Sequence, residues 1–143
     1  MNDGRTAVGP DNKAALRMAM RLAMVAFYLA AGVLHLIATD AFLAIVPDWV
    51  PAARIVVQAT GIAEICGSIG LLTRRWRQAA GVGLALYAIA VFPANIKHAM
   101  EGIAVPGLPS TWWYHAPRLA AQPVLVWWAL FASGAIDWPW RRR

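Results

Sequence analysis

Long apolar runs separated by short polar segments set the pattern of this 143-residue chain. Four runs lie close to the length of about 20 residues that an α-helix needs to cross the hydrocarbon core of a bilayer. We place them at residues 17–39, 52–72, 79–96 and 118–136. Helices satisfy all of their backbone hydrogen bonds internally, which apolar segments in lipid require. The pattern therefore predicts an all-α integral membrane protein, a four-helix transmembrane bundle.

The remaining segments predict a tail and interfacial connections. Residues 1–16 predict a flexible tail, which leaves 17–143 as a single transmembrane domain. Residues 42–51, FLAIVPDWVP, predict a short amphipathic turn at the membrane surface, with Trp49 as an aromatic anchor between two prolines. Residues 97–117 are rich in glycine and proline and predict a solvated linker.

The composition and charge of the chain agree with a protein that lies in a lipid bilayer. Hydrophobic residues make up 60% of the chain, charged residues 14%, and the formal net charge is +6. Ten of the 13 Lys and Arg residues flank the runs on one side, at the two termini and in the loop 73–77. Because positive residues concentrate on the cytoplasmic side, we predict that both termini are cytoplasmic. Anionic headgroups account for this charge, so nucleic acid is not an expected partner.

Polar side chains within the runs concentrate in the half that lies away from the basic loop. At a rise of 1.5 Å per residue, Glu64 falls near the middle of its run and His35 in the outer half of the first. Buried polar groups need partners, and these residues can serve one another. The sequence thus predicts a polar pocket that opens outward. Its candidate ligand-binding residues are His35, Glu64, Asn95, His98, Arg118 and Gln122.

Glu64 is the most informative of these residues, because an acidic side chain at the centre of a membrane helix costs about 2.5 to 3.5 kcal/mol. Two explanations stay open and are compatible: an ion pair with Arg118 that clamps the helices together, or a ligand or proton site. On the same run, small residues form a stripe that predicts a close helix contact facing away from Glu64. The stripe consists of Ala59, Ala63 and Gly67.

The other candidates also have structural explanations. His35 fits a hydrogen-bonded core histidine, and His98 is better explained as an interfacial side chain. Pro93 cannot donate a backbone hydrogen bond to Ile89, so we predict a kink beside Asn95, whose amide also suits a cap for the freed backbone.

Motifs for cofactors are weak. No two metal-ligating side chains show a recognised ligand spacing, so we predict no metal site. Cys66 is the single cysteine, which excludes an intrachain disulfide or a CxxC pair. Nucleophilic triads, phosphate-binding loops and paired catalytic carboxylates are absent from the sequence, which neither predicts nor excludes an enzyme.

Five motifs occur in order after the tail: AGVLHL, IVPDWVP, GIAEICGSIGLL, AVFPANI and RLAAQPVLVWWAL. Together they resemble the DoxX family of small bacterial four-helix membrane proteins, over nearly the whole chain. The resemblance implies a multi-pass bundle in the bacterial inner membrane. The wider group includes a subunit named for thiosulfate:quinone oxidoreductase, so a quinone becomes a candidate ligand, although no redox cofactor motif is evident here. The motif residues map onto His35, Glu64, Pro93, Asn95, Arg118 and Gln122.

These observations lead us to expect an inner-membrane protein whose pocket binds a small amphiphilic molecule, quinone or lipid-like, as an accessory subunit of a larger membrane system. The alternatives are a purely structural subunit held by the clamp between Glu64 and Arg118, or a redox-associated enzyme subunit. The expected partners are the lipid bilayer, the ligand, and either another membrane protein or a second copy of the chain.

Overall fold

The computed structural model describes residues 10–105 and 107–139, with side chains from Asn12 onward, and contains only helices and connections in these ranges. The all-α fold class is therefore confirmed for this part of the chain. The helices are α1 (Pro10–Ile37), α2 (Thr39–Leu43), α3 (Ala53–Leu72), α4 (Arg77–Ala90), α5 (Phe92–Met100), α6 (Trp112–Ala120) and α7 (Gln122–Ser133).

Three helical stretches are long and apolar enough to cross a membrane: Asn12–Ile37, Ala53–Leu72 and Arg77–Met100. The last of them combines α4 and α5. The fourth predicted span, 118–136, is divided between two helices, and α7 has 12 residues. That length corresponds to about 18 Å, which is less than the hydrocarbon thickness of about 30 Å. Length and composition thus support three spans, and the fourth stays a prediction.

The four long helices form a closed ring, in which α1 and α4 each pack against both α3 and α7. The helices α1 and α3 run antiparallel, because Gly32 faces Glu64 whereas His35, later in α1, faces Gly61, earlier in α3. We call the end of the ring with the loop 73–76 the basic end and the opposite end the cavity end. An apolar core fills the ring toward the basic end: Met24, Tyr28, Leu71, Leu84, Ala85 and Ala129.

Two helix breaks mark the cavity end. The helices α4 and α5 are separated at Val91, and α6 and α7 at Ala121. A proline follows each break by two residues, Pro93 in one case and Pro123 in the other. Neither can donate a backbone hydrogen bond to the preceding turn. The first break agrees with the kink predicted beside Asn95, whereas the second divides a span that the sequence pattern predicted as continuous.

The helices α1 and α3 come close together at Gly32 and Gly61. A Cβ atom at Gly32 would lie 2.7 Å from the carbonyl oxygen of Gly61, so neither position has room for a larger residue. Glu64 lies beside this contact and not away from it. The stripe predicted to make a close contact lies on another face of α3 and consists of Ala59, Ala63 and Gly67. Its first two members are exposed, whereas Gly67 packs tightly against Leu84 of α4, so the prediction holds at that position.

The first helix begins at Pro10, so residues 10–16, predicted to belong to the flexible tail, are helical. Residues 1–9 of that tail lie outside the described residues. Arg17 contacts Asp137 at 2.5 Å and donates a hydrogen bond of 2.6 Å to the carbonyl oxygen of Ile136. These contacts fix the start of α1 to the segment that follows α7.

The α4–α7 contact gives a stability test at Gly81, where an added Cβ would lie 2.1 Å from Oγ of Ser133 and 2.8 Å from the carbonyl oxygen of Ala129. We expect Gly81→Ala to destabilise the protein by about 1–3 kcal/mol, the usual range for overpacking. Circular dichroism in detergent should show a lower midpoint of thermal unfolding.

The control is Gly83→Ala, because a Cβ at Gly83 meets no atom within 4 Å. The control should keep the midpoint or raise it, since alanine has the higher helix propensity. Equal losses in the two variants would contradict the described α4–α7 contact.

Candidate functional site

A cavity of about 650 Å³ lies in the ring at the cavity end. Its volume is within the range of about 300–1,000 Å³ that is typical of small-molecule sites. Apolar side chains form most of the wall, and all seven helices contribute to it. Five of the six candidate residues line this one cavity: His35, Glu64, Asn95, Arg118 and Gln122.

Glu64 forms the polar part of one wall and is 3% exposed. Its Oε2 atom lies 2.8 Å from Nδ1 of His35. The same Nδ1 lies 2.9 Å from the carbonyl oxygen of Ala31, one helical turn earlier, and its N–H is aligned with that carbonyl. The histidine is therefore a close electrostatic partner of the carboxylate, while Oε2 itself has no aligned hydrogen-bond donor among the described residues.

The position of His35 follows from the helix contact below it. Because Gly32 and Gly61 have no side chains, α1 and α3 come close enough for the imidazole to reach the carboxylate on the facing helix. The imidazole also stacks on the ring of Phe42 in α2, with 4.0 Å between ring centroids. The short helix α2 thus holds the histidine ring against the cavity wall.

Residues with hydroxyl groups line the cavity near Glu64. The hydroxyl of Tyr87 lies close to both Glu64 and Thr60, and the ring of Tyr28 lies 6.1 Å from that of Tyr87. Tyr87, Thr60 and Tyr28 all line the cavity. Sequence reasoning did not select Thr60, although its position one turn before Glu64 places it on the same face. Tyr87 belongs to another helix, so spacing along the chain offered no signal for it.

Arg118 forms the polar part of the wall contributed by α6. Its Nη1 lies 2.9 Å from Nδ1 of His98, and its Nη2 donates a hydrogen bond of 2.6 Å to Oδ1 of Asn95. Arginine only donates, so Nδ1 of His98 accepts and the proton of this neutral imidazole lies on Nε2. The guanidinium carbon lies 5.7 Å from the ring centroid of Tyr114.

The hydrogen bonds continue from Arg118 across the bundle. Nδ2 of Asn95 donates to Oε1 of Gln122 at 3.2 Å. Nε2 of Gln122 then donates to the carbonyl oxygen of Ala88 at 2.5 Å. This chain of donors and acceptors, which we call the polar chain, joins α6, α5, α7 and α4. Both amide side chains lie just after a helix break, where the helices change course.

The predicted clamp between Glu64 and Arg118 is wrong, because Glu64 pairs with His35 while Arg118 binds His98 and Asn95. The carboxylate lies on the face of α3 that meets α1, whereas Arg118 enters from α6 and is held by α5. His98 is fully buried behind Arg118 and does not line the cavity. It positions the guanidinium, which differs from the ligand contact predicted for it.

The segment 44–50, predicted to lie at the membrane surface, covers part of the cavity. Trp49 lines the cavity and is nevertheless 74% exposed, so it lies at the rim. Nζ of Lys97 donates to the carbonyl oxygen of Val46 at 3.1 Å and to Oδ1 of Asp48 at 2.6 Å. Lys97 therefore fastens this covering segment to α5.

The two polar walls offer different chemistry. One wall presents a carboxylate oxygen that accepts hydrogen bonds, and the other presents a guanidinium that donates them. In the described ranges no three His, Cys, Asp or Glu side chains are grouped so as to hold a metal ion. The arrangement is suited to binding a molecule by hydrogen bonds and charge within an apolar cavity.

The polar chain gives a second test. Gln122→Leu leaves Nδ2 of Asn95 and the carbonyl oxygen of Ala88 without their partner, and each buried unpaired group costs about 1–3 kcal/mol. We expect a lower unfolding midpoint in detergent. The double variant Asn95→Leu with Gln122→Leu should lose less than the sum of the single losses, because the two side chains are coupled.

The control for this comparison of single and double variants is Gln78→Leu, since Gln78 is exposed and lies at the basic end. Gln78→Leu should change the unfolding midpoint little by itself, and its effect should add to that of Asn95→Leu. Strict additivity between Asn95 and Gln122 would contradict the polar chain.

Comparison with known proteins places the chain in a family. The family model described as a domain of unknown function, DUF8561, matches residues 24–133. This range includes the second half of α1, all the other helices and every one of the six candidate residues. No curated protein and no solved structure matched the chain in the same comparisons. The family match spans more than three quarters of the chain, which therefore belongs to DUF8561.

Proposed function

We propose that this protein is a multi-pass membrane protein whose cavity binds a small amphiphilic molecule, lipid-like or quinone-like. One observation supports this function above the others. The cavity is lined mainly by apolar side chains, yet one wall holds the buried carboxylate of Glu64 and another holds the guanidinium of Arg118. Such a cavity suits a molecule with a polar head and an apolar body.

The size of the cavity favours binding over a purely structural role. The cavity is open at its rim, where Trp49 is 74% exposed, and it extends between helices whose contacts are normally close-packed. A bundle that served only as a support would gain dispersion energy by filling a space of about 650 Å³ with side chains. The open volume is better explained by an occupant.

Part of the cavity wall supports entry of the ligand into the cavity from the lipid side. Phe27, Leu34 and Val56 line the cavity and are 48%, 49% and 38% exposed, so the cavity is open beside them. An apolar tail between these residues would lie at the boundary between the cavity and the hydrocarbon region. A quinone with an isoprenoid tail and a lipid with an acyl chain both have this shape.

For the membrane placement we propose four spans, with both termini on the cytoplasmic side of the bacterial inner membrane. The helices α6 and α7 together cover residues 112–133, which is long enough for a span despite the break at Ala121. Packing of α7 between α1 and α4 supports this placement. The resemblance to the DoxX family is part of the same proposal, since it implies four helices with this arrangement.

Filling the cavity tests the proposed function. Ala94 lines the cavity, so Ala94→Phe should place a ring in the space of the ligand. Native mass spectrometry of protein gently extracted from membranes should show wild type with a bound small amphiphile and Ala94→Phe with most of it lost.

The matched control is Ala26→Phe, which adds the same ring at an exposed position outside the cavity. It should keep the bound molecule. Wild type without any bound molecule, or equal retention by the two phenylalanine variants, would contradict the proposal.

The orientation can be tested with single cysteines, because Cys66 is the only native one and Cys66→Ser removes it. Ser110→Cys lies at the cavity end and Trp76→Cys at the basic end, both at exposed positions. In intact cells a membrane-impermeant maleimide should label Ser110→Cys, and it should label Trp76→Cys only after permeabilisation. The reverse pattern would refute the proposed orientation, and labelling of both in intact cells would refute the span placement.

A further inference from the structure

The guanidinium of Arg118 is a positive charge on the wall of a mostly apolar cavity. Arginine side chains stay protonated in proteins. The contacts of this one are with neutral groups: the accepting Nδ1 of His98, the amide oxygen of Asn95 and the face of the Tyr114 ring. These contacts orient the side chain, and none of them offsets its charge.

The acidic side chains at the cavity end are each engaged with another basic residue. Glu64 contacts His35 at 2.8 Å, and Asp40 contacts Arg54. Asp48 and Glu101 both lie within 4.0 Å of Nζ of Lys97. Among the described residues Arg118 therefore has no carboxylate partner, although an uncompensated charge beside low-dielectric surroundings is costly.

The N–H donors of Arg118 that are not used by His98 and Asn95 indicate which chemical group on a ligand would fit the site. The guanidinium has five N–H donors, and the contacts with His98 and Asn95 use two of them. A planar oxygen anion matches the remaining fork, and such charge-assisted hydrogen bonds are among the strong ones in proteins. One cation offsets one negative charge, whereas a phosphate dianion would leave excess negative charge in the cavity that also holds Glu64.

We propose that the molecule bound in the cavity carries a single anionic oxygen group of the carboxylate type, bound by Arg118, on an apolar chain. This inference rests on the proposed function of the cavity and names the class of its ligand. His98 and Asn95 hold the guanidinium toward the headgroup. The chain extends past Phe27 and Leu34, which line the cavity and are exposed.

Matched probes test the headgroup. Purified full-length protein in detergent is incubated with dodecanoate or dodecanol, which share the chain and differ in the charged group, and bound probe is counted by native mass spectrometry. Wild type should retain dodecanoate about tenfold or more over dodecanol, as expected for hydrogen bonds to a charged partner. Arg118→Gln should lose this preference, so that the two probes are retained about equally.

The control for charge is Arg54→Gln, which removes a positive charge from the same end of the protein. Arg54 is exposed, pairs with Asp40 and does not line the cavity. This variant should keep the preference for dodecanoate. Arg118→Lys keeps the charge without the planar fork and should retain a weaker preference, which provides a reading if Arg118→Gln fails to fold.

The possible outcomes separate the two proposals. Equal retention of dodecanoate and dodecanol by wild type would overturn the anionic headgroup, and the cavity function would stand if Ala94→Phe weakened the binding of both. No effect of Ala94→Phe on either probe would overturn the proposed function itself. Butyrate tests the chain: displacement of dodecanoate by an equal concentration of butyrate would overturn the apolar chain and indicate a small soluble carboxylate.

Discussion

The cavity end of this protein depends on one constraint, the need of its buried amide side chains for partners. The polar chain from Arg118 through Asn95 and Gln122 to the carbonyl oxygen of Ala88 meets this need across four helices. Each amide both donates and accepts, so that the members depend on one another and the polar chain fixes the relative positions of α4, α5, α6 and α7. The helix breaks at Val91 and Ala121 bring the two amides together.

The opposite wall depends on a different physical feature, the close approach of α1 to α3 at Gly32 and Gly61. The absence of side chains there brings His35 within 2.8 Å of the carboxylate of Glu64. The apolar core lies toward the basic end of the ring. The two polar walls are therefore held by different helix contacts and face the same cavity. Glu64 on one wall and Arg118 on the other do not pair with each other. This separation is the reason that we attribute the space to a ligand.

The observed contacts also change the roles that we assign to Glu64 and Arg118. A clamp between Glu64 and Arg118 would have used both charges to hold helices together. Instead His35 accompanies the carboxylate, and neutral groups hold the guanidinium toward the cavity. Breaking an internal ion pair is costly for stability, but a cation held only by neutral partners is available to an incoming anion. Recognition of an anionic group is therefore the role that we propose for Arg118.

The sequence alone determined the all-α class, the kink at Pro93 and five residues of the cavity wall, because hydrophobic periodicity and depth along a helix depend only on local spacing. Spacing along one helix contains no information about which neighbour each face meets. The partner of Glu64, the position of His98 behind Arg118 and the contribution of Tyr87 were therefore decided by tertiary structure. The physical reason is the order of helices in the ring, together with the glycine contact that draws α1 onto α3.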